Sequence, residues 1–151
     1  MNRYLRRFTA STTLKILAFL AQRPMLAPLS ERLARSLAHI IVSRKHLGQA
    51  TTATELAEGW QRAFPSKQPV PIERIEDRTV YARILTPCPL RGTGNTAACW
   101  RMMAFDREVV HHAGGQFVVL QSQASPGQTF CRVAMRLAGE NMADLRQAHE
   151  I

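Results

Sequence analysis

The residues best equipped for chemistry are three cysteines, Cys88, Cys99 and Cys131. Zinc takes thiolate and imidazole ligands in a tetrahedral set. Three thiolates completed by His111 or His112 would make such a set, for zinc or another thiolate-bound metal. No Cys-x-x-Cys knuckle is present, and unpaired cysteines also serve as small buried hydrophobes. Cys99 has a second reading, as a nucleophile. It falls at the start of a predicted helix, where main-chain amides and nearby Arg101 would lower a thiol's pKa. A cysteine nucleophile needs a base within reach. His111 and His112 lie about three turns further along the same helix, so a base would have to arrive through the tertiary fold. An odd number of cysteines argues against a disulfide framework and points to a reducing, cytoplasmic setting.

Other patterns are weaker. Arg91-Gly92-Thr93-Gly94-Asn95-Thr96 lacks the full glycine fingerprint and the lysine of a phosphate loop, and reads as a turn with a helix cap. Asp106 and Glu108 diverge on a helix and make a poor acid–base pair. Trp100, Met102, Met103, Phe105 and Val109 load one helix with large adaptable apolar groups. These suit a core. With Phe117 and Leu120 they also suit an apolar ligand pocket, with Trp100, Met103 and Phe117 as its predicted contacts.

The elements that must position these groups follow from periodicity. Residues 2–22 can form an amphipathic helix through Leu5, Phe8, Thr12, Leu17 and Leu20, broken by Pro24 and Pro28. Ser30 suits the N-cap of a second helix with a stripe of Leu33, Leu37, Ile40 and Ile41, stopped by Gly48. Thr52 and Glu55 have capping-box spacing for a third, carrying Leu56, Trp60 and Phe64. The period then becomes two: Val70–Arg74 and Val80–Ile84 read as strands around a turn at Asp77 and Arg78. Asn95 or Thr96 caps a long helix running to about His112, which Gly114 and Gly115 end. Phe117–Ser122 and Cys131–Arg136 read as a closing hairpin, with a short polar tail that suits a last helical turn or two. The predicted class is α+β: N-terminal helices, then an antiparallel sheet of hairpins with a long helix packed on it.

The 151-residue chain suits one domain, with a basic helical region over 1–50 and a helix-and-sheet unit over 51–151. With 46% apolar and 21% charged residues it is not a disordered chain. Its net charge of +9 is lopsided. Residues 1–50 hold nine lysines and arginines against Glu31 alone, whereas the rest of the chain carries eleven against ten acids. A basic region of this kind attracts an acidic protein, an anionic surface or nucleic acid. Tyr4, Phe8 and Phe19 are few aromatics for stacking bases. The apolar run Ile16–Ala21 is too short to span a membrane. The flanks of that run do not fit a secretory signal, although an Arg-rich, acid-poor start resembles an organelle transit peptide.

The segment from Ile72 to Arg136 resembles the 4-vinyl reductase-like domain, of the wider fold shared by nitric-oxide-signalling and Golgi-transport proteins. The resemblance lies in order: a strand pair, the Cys88-Pro89 loop, a helix bearing Cys99 and ended by glycine, and a hairpin with Gly127 and then Cys131. It implies a small-molecule-binding sensor, carrier or accessory domain, often dimeric, in which cysteines of this region hold zinc in some members. Here Gln123 falls near the place of the family's earlier hairpin cysteine, and Leu120 and Ser122 stand where an acid would. Cys99 and Cys131 carry over as ligands, with Cys88 as a third. The same pattern also looks like the thiazoline-carboxylate hydrolase family, which implies a cysteine-dependent hydrolase acting through Cys99. The leading expectation is a domain that binds an apolar or aromatic small molecule.

Overall fold

A computed structural model describes the backbone of residues 3–149 and the side chains of residues 11–149. The chain runs α1 (Arg3–Ala21), a 3₁₀ turn (Pro24–Leu26), α2 (Ala27–Lys45), α3 (Ala53–Ala63), β1 (Ile72–Glu76), β2 (Thr79–Ile84), α4 (Thr96–Met102), α5 (Ala104–His112), β3 (Gly115–Gln121) and β4 (Cys131–Leu137). The four strands form one antiparallel sheet in the order β1-β2-β4-β3. The α+β class predicted from sequence is therefore the observed one.

The local signals explain most boundaries. Thr52 Oγ1 accepts from Glu55 N at 3.2 Å, and the Glu55 carboxylate accepts from Thr51 N at 2.7 Å, so two free amides at the start of α3 are satisfied. Asn95 Oδ1 accepts from Ala98 N at 2.9 Å and caps α4. Asp77 and Arg78 both take positive φ, as the tight turn of a two-residue hairpin requires.

Five expectations are corrected. The predicted long helix is two helices that meet at Met103, whose ψ of 0° turns the axis. The two halves have different partners: α4 packs on α1 and α2, while α5 packs on α2, α3 and β3. Ser30 caps nothing; it lies buried inside α2 and its hydroxyl donates to Ala27 O at 2.9 Å. Pro28 does not break a helix but sits in the first turn of α2, where its missing N–H costs nothing. That helix ends before Gly48, at His46, which takes the left-handed conformation with φ 49°. The tail forms turns, not a helix. The side chains of Leu5 and Phe8 lie outside the described residues.

One apolar core links the N-terminal helices to the sheet. It runs from Ala18, Ala21 and Ala38 through Leu56 and Trp60 to Val80, Val133 and Met135. The stripe of Ser30, Ala34, Ala38 and Val42 explains how α2 approaches closely: its inward side chains are small. Trp60, fully buried, donates from Nε1 to Asp106 Oδ1 at 3.0 Å, tying α3 to α5. Phe64 stands edge-on to Trp60 and to Phe105, with ring centroids 5.2 and 5.9 Å apart. On the other face of the sheet, Val118, Ala134 and Tyr81 are covered by Met142 and Leu145 of the tail. Arg136 clamps that tail by a two-pronged pair with Asp144 at 2.6 and 2.7 Å.

Two predictions test this packing. A Cβ on Gly115 would lie 2.7 Å from Leu56 Cδ1 and 2.9 Å from Val110 Cγ1. Gly115→Ala should therefore cost about 1–3 kcal/mol in a denaturant titration. Burial pushes the Asp106 carboxyl up to about 6, from an ordinary 3.8. An acid whose folded pKa is raised contributes stability below the unfolded value and loses it as pH rises through the folded one. Asp106→Asn keeps an acceptor for Trp60 and removes the titration. The wild type should lose stability, on the order of 2–3 kcal/mol, as pH rises from 3.8 to about 6, and the variant should lose none of it.

Candidate functional site

The three cysteines, two by their thiols and Cys88 by its backbone N–H, converge on two consecutive residues at the end of β3, Ser122 and Gln123. The Ser122 hydroxyl donates to Cys99 Sγ at 3.0 Å, and Gln123 N points to Cys131 Sγ at 3.4 Å. Cys88 N donates to Gln123 Oε1 at 3.2 Å. Gln123 is itself almost fully buried, and it uses its whole amide. Its oxygen also accepts from Arg91 Nε and Nη2 at 3.0 and 2.7 Å, and its nitrogen donates to Thr86 O at 3.0 Å. Gly92 N and Gly94 N donate to the carbonyls of Gln123 and Ala124. The loop that carries Cys88 is thus folded around one glutamine, at the position where the resemblance leads one to look for another cysteine.

Cys99 and Cys131 are buried and Cys88 is half-buried. Burial pushes all three thiols up, Cys99 to about 12, and each of Cys88 and Cys131 adds to that rise. This is the reverse of the activation a nucleophile needs. Cys99 finds a hydroxyl donor and not a base: His111 and His112 stand exposed at the far end of α5. No group of three or more His, Cys, Asp or Glu side chains is arranged to hold a metal ion among the described residues. A zinc site thus rests on the resemblance alone.

Two open spaces lie elsewhere, at the other end of β3, about 15 Å along the strand. A groove of about 280 Å³ separates α5 from α2 and β3; its walls include Arg35, Arg107, His111 and Phe117. A wider one, about 660 Å³, lies between β3 and the tail, lined by Phe117, Val118, Met142 and Leu145 among others. Phe117 stands between the two. The tail reaches its place by pairing with the free edge of the sheet, Ala148 N donating to Val119 O at 2.8 Å.

Arg107 is the unusual member of this region. Its guanidinium carbon lies over the Trp100 ring, 3.7 Å from the centroid. Its Nη1 is shut away from water and has no hydrogen-bond partner. Burial pushes its pKa down, opposed by Glu31 and reinforced by the like charge of Arg35. His149 stands edge-on to the same indole at 5.6 Å, with both ring nitrogens unpartnered. Burial and then the Arg107 charge push it down to about 4. A charged donor left unpaired in a desolvated place is costly, and folds keep few of them.

Of the predicted ligand contacts, Phe117 lines both grooves, Trp100 forms the platform under Arg107, and Met103 lies in the core at the bend between α4 and α5. Sequence reasoning passed over Arg107 and Arg35 as site residues, and noted Gln123 only as standing where the resemblance places a cysteine. A signal for Arg107 was present: Ala104, Arg107, Glu108 and His111 share one helix face by their spacing, beside the buried face of Asp106, Val109 and Val110.

Comparison with protein-family models, curated proteins and solved structures finds no match for the chain.

In the folded protein a thiol-alkylating reagent should label Cys88 alone, and slowly, with Cys99 and Cys131 reacting only on denaturation. Gln123→Ala should release the loop and speed Cys88 labelling at least about tenfold, as the loss of several buried hydrogen bonds implies. Rapid labelling of Cys99 in the folded wild type would reverse the account of its thiol.

Proposed function

We propose that the protein is a small-molecule-binding domain of the carrier or accessory type. Its ligand would lie in the α2–α5–β3 groove, with an apolar or aromatic part on Phe117 and an anionic group facing Arg107 and Arg35. The observation that carries this reading is the desolvated Arg107 guanidinium, which lacks a partner at Nη1 beside a second arginine. A carboxylate or phosphate is the group that two guanidinium forks recognise best, and its arrival would relieve their mutual repulsion. Trp100 supports Arg107 from behind, so the head group is aimed in advance of binding. The groove volumes, about 280 and 660 Å³, suit a small organic molecule.

The cysteines take a structural part in this proposal. They hold the far end of β3 against α4 and the Cys88 loop, and touch neither groove.

Backbone NMR of the full chain, titrated with a panel of aryl carboxylates and aryl phosphates, tests it. Shifts should cluster at Arg107, Gln116 and Phe117, and Arg107→Met should weaken binding at least about tenfold, the loss of one charge-assisted contact. The same variant should be as stable as the wild type or more so, because it removes a buried charge with an unpaired donor. A clear fall in melting temperature would make Arg107 a structural residue and overturn the reading.

A further inference from the structure

The surface of α1, the 3₁₀ turn and α2 joins two features that a soluble face usually keeps apart. Large apolar side chains stand in solvent: Ile16 and Phe19 on α1, Met25 in the turn at 94% exposure, and Leu29, Leu33 and Ile40 on α2. Cations are interleaved with them by helical spacing. Lys15 and Arg23 flank Phe19 at four residues on either side, and Arg32 lies beside Leu29 and Leu33. Arg23 folds back over the Phe19 ring at 3.5 Å, covering part of the ring with its own charge. The one acid of this region, Glu31, is spent on Arg35 at 3.7 Å. Lys15, Arg32 and Arg44 pair with no acid among the described residues.

We propose that this surface docks on an anionic phospholipid bilayer, with Met25 and its apolar neighbours entering the headgroup boundary and the cations ringing them. Charge complementarity selects this occupant. A face where Lys15, Arg23 and Arg32 pair with no acid among the described residues would repel a second copy of itself. Nucleic acid would find only Phe19 to stack on among the described residues of the two helices. Met25 projects from the turn and the other apolar groups stand on the outer faces of the two helices, an arrangement that suits insertion into a fluid layer. No helix among the described residues is long and apolar enough to cross a membrane, so the contact lies in the plane of the surface.

Co-sedimentation of the full chain with lipid vesicles decides it. The protein should pellet with vesicles containing phosphatidylglycerol, not with phosphatidylcholine alone, and less as salt rises. Removing one cation, as in Lys15→Gln or Arg32→Gln, should weaken partition about fivefold. Met25→Asp should weaken it more than either; at its exposure it has no packing to lose, and circular dichroism would confirm the fold. Failure to pellet with phosphatidylglycerol at low salt would overturn the proposal. So would binding unchanged by Met25→Asp, the mark of simple charge adhesion. A dimer in size-exclusion chromatography that Met25→Asp dissolves would assign the face to a second copy, and would overturn it equally.

Discussion

The buried hydrogen bond from Trp60 to Asp106 sets the orientation on which the rest of the structure depends. It joins two helices at the centre of the core, and Trp60 has no exposed surface at which to seek another acceptor. With Asp106 directed inward, the helical twist turns Arg107 about 100° away, toward Trp100 and the groove. The same rotation places His111 on the groove side and Val109 and Val110 in the core. The carboxylate is desolvated for this purpose, and its raised pKa records that cost. A core acid thereby aims a half-buried cation.

The two ends of β3 have been put to different use. At its end, Ser122 and Gln123 knit three cysteines and a glycine-punctuated loop into a closed polar knot, with every strong group of the glutamine occupied. At its start, two grooves flank Phe117, and Arg107 and His149 hold nitrogens without partners. Chemistry is expected where polar groups are left wanting, not where they are satisfied. That contrast moves the candidate site away from the cysteines, which are the residues a reader of the sequence notices first.

The sheet also has two unlike faces. One packs on the helices; the other is closed by a tail that Arg136 and Gln116 hold in place. Because β3 is an edge strand, the tail covers part of its unpaired backbone as well as Val118. Covering an edge guards it against pairing with another chain.

What the sequence determined by itself is whatever depends on neighbours a few residues apart. The Thr52–Glu55 box, the Asn95 cap, the hairpin turn at Asp77 and Arg78 and the order of helices and strands are all settled within one or two turns of chain. The basic bias of the first fifty residues is likewise plain in the sequence. Only the tertiary structure decided the rest. Ser30 has the chemistry of a cap, but α2 begins earlier and needs a small residue there to meet its neighbours, so Ser30 is buried in mid-helix. The helix through Met103 bends because its halves answer to different partners. Arg107 is an ordinary helical arginine until Trp100 and His149, the latter from the end of the chain, close around it and strip its water. Desolvation and unpaired donors arise from contacts between distant segments, and no local spacing encodes them.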